Sequence, residues 1–133
     1  MTEYTHGLSH IGVAVSDLQA TKGYYTEKLG FLNLHENLID TPKGPIWVAF
    51  LGSGSLVIEF LQFPPGLGPP PGTIDHIAVK VVGIEGAAAD LRERGIPFDT
   101  EEVQSLMEFW QRGTKWLTFR GPDGEKLEIN EVL

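Results

Sequence analysis

His10-Ile11-Gly12-Val13-Ala14-Val15 returns 66 residues later as His76-Ile77-Ala78-Val79-Lys80-Val81, in a chain of 133 residues. Each copy is one His followed by alternating, β-branched-rich apolar residues, the pattern of a half-buried strand. Side chains on a strand alternate between faces. His10, Gly12 and Ala14 therefore share one face, and Ile11, Val13 and Val15 the other. In the second copy His76, Ala78 and Lys80 oppose Ile77, Val79 and Val81. Small residues beside each His leave room for something to sit against the imidazole.

The flanking sequence repeats with the same order. After Leu8–Val15, Ser16 or Asp17 is placed to cap a helix, Leu18, Tyr25 and Leu29 recur at helical spacing, and Gly30 stands where a helix stops. Strands are predicted at 31–39, 46–51 and 55–62, with Gly44-Pro45 and Gly52-Ser53-Gly54 as turns. Residues 63–73 carry five prolines and three glycines and read as a stiff connector. The order then recurs: a strand at 74–82, a helix carrying Ile84, Ala87, Ala88 and Leu91 on one face, then strands at 97–100, 114–120 and 125–131. Residues 1–7 read as a lead-in, and 101–113 as a short helix or a long loop. The expectation is an α+β fold: one domain over 1–133, built from a βαβββ module at 8–62, the linker 63–73 and a second module at 74–131. Repeats of this kind bury their apolar faces by packing together.

The composition narrows the function. A 41% apolar and 21% charged chain is globular. A net charge of −8 disfavours nucleic acid and anionic membrane as partners. No apolar run approaches the roughly 20 residues of a membrane span, and there is no Cys for disulfide or thiolate chemistry. The expected partner is a small-molecule substrate and the expected location the cytoplasm.

The duplication points to a site. Glu59 is a lone carboxylate within the apolar run Leu56-Val57-Ile58-Glu59-Phe60-Leu61, and a buried carboxylate is costly unless paired or bound to metal. The matching strand of the second module carries Glu128. By itself Glu128, alternating with Lys126 and Asn130, is an ordinary solvent face. At matching places in a repeat, His10, Glu59, His76 and Glu128 make a set of two imidazoles and two carboxylates. Such donors suit one borderline divalent metal, Zn, Ni, Co, Mn or Fe. Four protein ligands on a six-coordinate ion leave two open positions, the mark of a catalytic metal. His6 and His35 have no partner in the repeat and read as surface residues.

These residues resemble the vicinal oxygen chelate superfamily, which includes glyoxalase I, bleomycin-resistance proteins, extradiol dioxygenases and methylmalonyl-CoA epimerase. The matching phrases are His10-Ile-Gly-Val-Ala-Val-Ser-Asp-Leu, Tyr24-Tyr25 with Leu29-Gly30-Phe31, Val57-Ile58-Glu59, His76-Ile-Ala-Val, and Gly121-Pro-Asp-Gly-Glu-Lys-Leu-Glu128. The resemblance implies paired βαβββ modules in a curled sheet with a central metal cleft, and homodimers. It implies a metal-dependent lyase or isomerase of the glyoxalase I kind, working through an enediolate, with Glu128 as the base and Glu59 opposite it. Glyoxalase I enzymes place an Arg four residues after the first ligand to hold glutathione, where this chain has Ala14. Epimerases usually have Gln as second ligand, where this chain has Glu59. The alternatives are a drug- or aromatic-binding protein of the bleomycin-resistance type, an epimerase-like member, or a dioxygenase. Trp47, Phe109 and Trp110 are the candidate substrate-binding aromatics, whereas Phe50 and Trp116 read as core.

Overall fold

The computed structural model describes residues 1–133, and the chain is mixed α+β throughout. Contacts divide it into two compact units: His10–Asp75, the N-terminal unit, and Met1–Ser9 with His76–Leu133, the C-terminal unit. Strand β1 (Thr5–Ala14) begins in the second and ends in the first. No helix is long and apolar enough to cross a membrane.

The N-terminal unit continues from β1 into helix α1 (Leu18–Gly23), then β2 (Leu32–Ile39), β3 (Ile46–Ser53) and β4 (Leu56–Gln62). Asp17 caps α1 by accepting from the Ala20 N–H. The sequence periodicity predicts one helix up to Gly30. Instead the last turn widens into a π-helical stretch over Tyr24–Lys28, where the Thr26 hydroxyl donates to the Lys22 carbonyl. The widened turn delivers Tyr25 against Phe31 and Phe60, with ring centroids 5.2 and 4.6 Å away. Strands β2, β3 and β4 form an antiparallel meander, and β1 pairs parallel to β4, giving the order β2-β3-β4-β1. Leu18 of the helix packs on Ala49, Leu51 and Phe60, so one sheet face is the core. Burying a side chain the size of Leu51 contributes about 2 kcal/mol.

The proline-rich connector closes back on its own unit. Gly72 N–H donates to Ala14 O (2.7 Å) and Ala14 N–H to Thr73 O (3.0 Å). Gly68, at φ +77°, lies so close to the Phe63 ring that a Cβ would stand 2.4 Å from it, so only glycine fits there.

The C-terminal unit repeats this plan with β5 (Ile74–Val81), whose first two residues belong to the N-terminal unit, then α2 (Ile84–Glu93), β6 (Gln104–Leu106), β7 (Thr114–Arg120) and β8 (Lys126–Val132). The order is β5-β8-β7-β6, with β5 and β8 parallel, so each module pairs its first strand with its fourth. Ile84, Ala87, Ala88 and Leu91 of α2 pack on Val81, Leu117 and Ile129. Two expectations are corrected. Residues 97–100 form no strand, only a single bridge from Phe98 to Phe119, and the sixth strand lies within 101–113, at Gln104–Leu106. Proline at 97 has no N–H to give a ladder, whereas Gln104-Ser105-Leu106 can pair fully with Thr114-Lys115-Trp116. Residues 1–7 are likewise no loose lead-in. The Tyr4 carbonyl accepts from Val82 N–H, and its ring lies over α2, where a methyl group on Gly86 would stand 2.7 Å from Tyr4 Oη.

Replacing Tyr4 with Ala removes that cover and should destabilise the protein by about 2 kcal/mol. Chemical denaturation checks this; an unchanged midpoint would show that the N-terminal residues contribute nothing.

Candidate metal centre

Register explains how each module brings a carboxylate to its His. In the N-terminal unit Glu59 lies directly opposite Gly12 on β1 and Phe50 on β3. Residues directly opposite share a face, and His10 is two residues before Gly12, so His10, Gly12, Phe50 and Glu59 lie together, away from the helix. His10 Nε2 stands 3.4 Å from Glu59 Oε1, with both residues buried. Gly12 has no side chain to fill the space beside the carboxylate. Phe50 meets the His10 ring edge-on at 5.4 Å and 87°, which fixes its plane.

The C-terminal unit does the same. Glu128 lies opposite Ala78 on β5 and Thr118 on β7. Ala78 takes the place of Gly12, and His76 Nε2 stands 3.7 Å from Glu128 Oε2, again with both residues buried. Donors about 2.0–2.2 Å from one ion lie roughly 3–3.5 Å apart at near-tetrahedral or octahedral angles. The 3.4 Å pair is spaced as two ligands of one ion and the 3.7 Å pair lies just beyond that spacing; imidazole with carboxylate is the donor chemistry of a borderline divalent metal. Two residues beyond Glu128, the buried Asn130 accepts from Ser9 Oγ (3.0 Å) and donates to Thr114 Oγ1 (3.0 Å). This satisfies a polar side chain that would otherwise be costly on that face.

The aromatics separate into three groups. Trp47, expected to face substrate, has the opposite parity from Phe50. It shares the helix side of β3 with Ala49 and Leu51, in a surface depression with Leu18 and Leu38, and is not brought to the His10–Glu59 pair. Phe109 is buried and Trp110 half-buried in a turn that follows β6, with Trp110 at φ +60°, an uncommon conformation for a bulky residue. Phe50, expected as core, is buried, and Trp116, also expected as core, is half-buried; both lie on the faces that carry the His–Glu pairs, Trp116 because it is two residues from Thr118. Counting back across the Gly121–Gly124 turn gives that register from sequence.

His35, expected at the surface, is half-buried. Simple alternation from Leu32 would put Leu34 on the face of Phe50. A β-bulge between Asn33 and His35 inserts a residue, and His35 pairs with Phe50 instead, their rings 6.3 Å apart. Glu36 then points to the helix side, where it pairs with Lys22. Burial holds the His35 imidazole below its ordinary value, against a weaker upward pull from Glu36.

The chain belongs to the glyoxalase/bleomycin resistance protein/dioxygenase superfamily, whose family model matches residues 7–129. YwbC of Bacillus subtilis (strain 168) is 30% identical over 125 residues, covering 92% of this chain and 94% of that protein. The mitochondrial methylmalonyl-CoA epimerase of Bos taurus is 29% identical over 106 residues, 73% of this chain and 59% of that one. Among solved structures, the methylmalonyl-CoA epimerase of Mycobacterium tuberculosis superposes with a TM-score of 0.81 at 23% identity, covering 100% of this chain and 92% of that chain, a likeness of fold.

Two outcomes test this geometry. Ala78→Leu places a branched side chain against Glu128 at a fully buried position and should cost about 1–3 kcal/mol by urea denaturation; a neutral effect would mean the carboxylate does not lie there. Because the folded His35 binds its proton less well than the unfolded one, its contribution is present above 6.5 and is lost as pH falls from there through the lower folded value. His35→Asn should therefore lose less stability than the native chain between about pH 7 and pH 5. Parallel pH profiles for the two proteins would contradict the assignment.

Proposed function

We propose that His10, Glu59, His76 and Glu128 hold one divalent metal ion, and that the protein is a metal-dependent isomerase or lyase acting on a small substrate with neighbouring oxygens. The supporting observation is the duplicated pair, an imidazole and a carboxylate buried beside a small residue at the same register in both modules. A divalent cation there would supply electrostatic stabilisation to the oxyanion that forms when a proton leaves the carbon next to a carbonyl. Glu128 is the base that takes this proton and returns it to the neighbouring carbon or to the opposite face; Glu59 stands opposite. The buried surroundings strengthen this stabilisation, and the protonated carboxylate trades its proton with solvent before returning it. Phe109 and Trp110 border the substrate.

The carrier separates two versions of this chemistry. The hemithioacetal of glutathione is the glyoxalase I substrate, but Ala14 is buried and offers no guanidinium for a glutathione carboxylate. A coenzyme A thioester is the substrate suggested by the named epimerase relatives. Both need the same proton transfer, and the absent guanidinium favours the second.

Purified protein should carry about one divalent metal per chain, and His76→Ala should lose it. Incubated in D2O with methylmalonyl-CoA, or with methylglyoxal and glutathione, the loaded protein should exchange the carbon-bound proton. Glu128→Gln should slow this exchange by on the order of 100-fold or more. A native protein that binds no metal and exchanges neither substrate would instead support a non-catalytic binding role.

A further inference from the structure

The edge strand of the N-terminal unit carries a feature the metal reading does not use. In β2 the bulge between Asn33 and His35 changes which residues face the metal-ligand side. Leu34 lies over Gly52, where a Cβ would stand 2.7 Å from its Cδ1, and His35 lies against Phe50. A row then crosses the sheet on one face: His35, Phe50, Glu59 and Gly12, each directly opposite the next. His10 adjoins this row through its edge contact with Phe50. Strands stand about 4.8 Å apart, so His35 is on the order of 10 Å from Glu59. The buried Phe50 ring fills the interval and fixes it. Asn37, opposite Val48, extends the same face by two residues.

A bulge costs ladder hydrogen bonds, and such irregularities recur where a side chain must be re-aimed. Without it, Leu34 alone would face this side and the row would end in an apolar residue. Burial holds the half-buried imidazole's pKa below its ordinary value, and the neutral ring carries one N–H donor and one acceptor nitrogen.

The geometry points to His35 as a specificity-determining residue that hydrogen-bonds an uncharged polar group, a hydroxyl or a carbonyl, carried about 10 Å from the substrate's metal-binding oxygens. This rests on the metal site proposed above. It narrows the substrate to one with a second uncharged polar function at that reach, and it assigns the bulge the task of selecting it.

Hydroxamates test this directly, since they present two neighbouring oxygens without reacting. The full chain, loaded with Co(II), is titrated with acetohydroxamate, benzohydroxamate and 4-(hydroxymethyl)benzohydroxamate, following the visible spectrum. The hydroxymethyl compound should bind roughly tenfold tighter than benzohydroxamate. His35→Ala should abolish that preference while leaving Co(II) content and acetohydroxamate affinity unchanged, and His35→Gln should restore part of it. A preference absent from the native protein, or equal in native protein and His35→Ala, overturns the role of His35 alone. Failure of the native protein to bind Co(II) or acetohydroxamate overturns the metal site itself, and this inference with it.

Discussion

Everything in each module depends on the parallel pairing of its first strand with its fourth. That pairing sets Gly12 opposite Glu59 and Ala78 opposite Glu128. A carboxylate inside a sheet face is tolerated only where space and compensating charge exist beside it. The small residue gives the space, and the His two positions earlier gives a second polar group at 3.4 or 3.7 Å. A larger residue at position 12 or 78 would crowd the carboxylate away from the imidazole. The rest of each module, a helix over one face and an antiparallel meander beyond, holds this one register in place.

The two modules share that device but differ around it. In the N-terminal unit the residue beside Glu59 on the third strand is Phe50, with His35 beyond it. In the C-terminal unit the corresponding residue is Thr118, whose hydroxyl donates to Asp99 (2.9 Å), itself paired with Arg120. One wall is aromatic and imidazole, the other hydroxyl and charged. A duplicated scaffold thus carries two chemically distinct surfaces beside the same kind of His–Glu pair.

Much of this was legible in the sequence because strand periodicity and duplication are local signals. The repeated His phrase, the lone Glu59 and the capping Asp17 each needed only neighbours to be read. Three features escaped for the reason that they depend on register between strands. The bulge in β2 reversed the face of His35, a non-local adjustment that alternation alone misreads. Trp47 and Phe50, three residues apart, go to opposite faces, and only pairing with β4 tells which face meets Glu59. The sixth strand moved from 97–100 to Gln104–Leu106 because pairing with β7, not intrinsic propensity, selects it. Family membership was readable from the motifs, whereas the choice among carriers was not, since it rests on groups such as Ala14 that are missing from a pattern rather than present in one.

The central proposal is that both His–Glu pairs bind one and the same ion. Anomalous diffraction from crystals grown with Mn(II) or Zn(II) tests it most directly. A single peak within about 2.0–2.3 Å of donor atoms from His10, Glu59, His76 and Glu128 is the result this account requires. Two separate peaks, one at each pair, or a peak ligated by one pair alone, would contradict it.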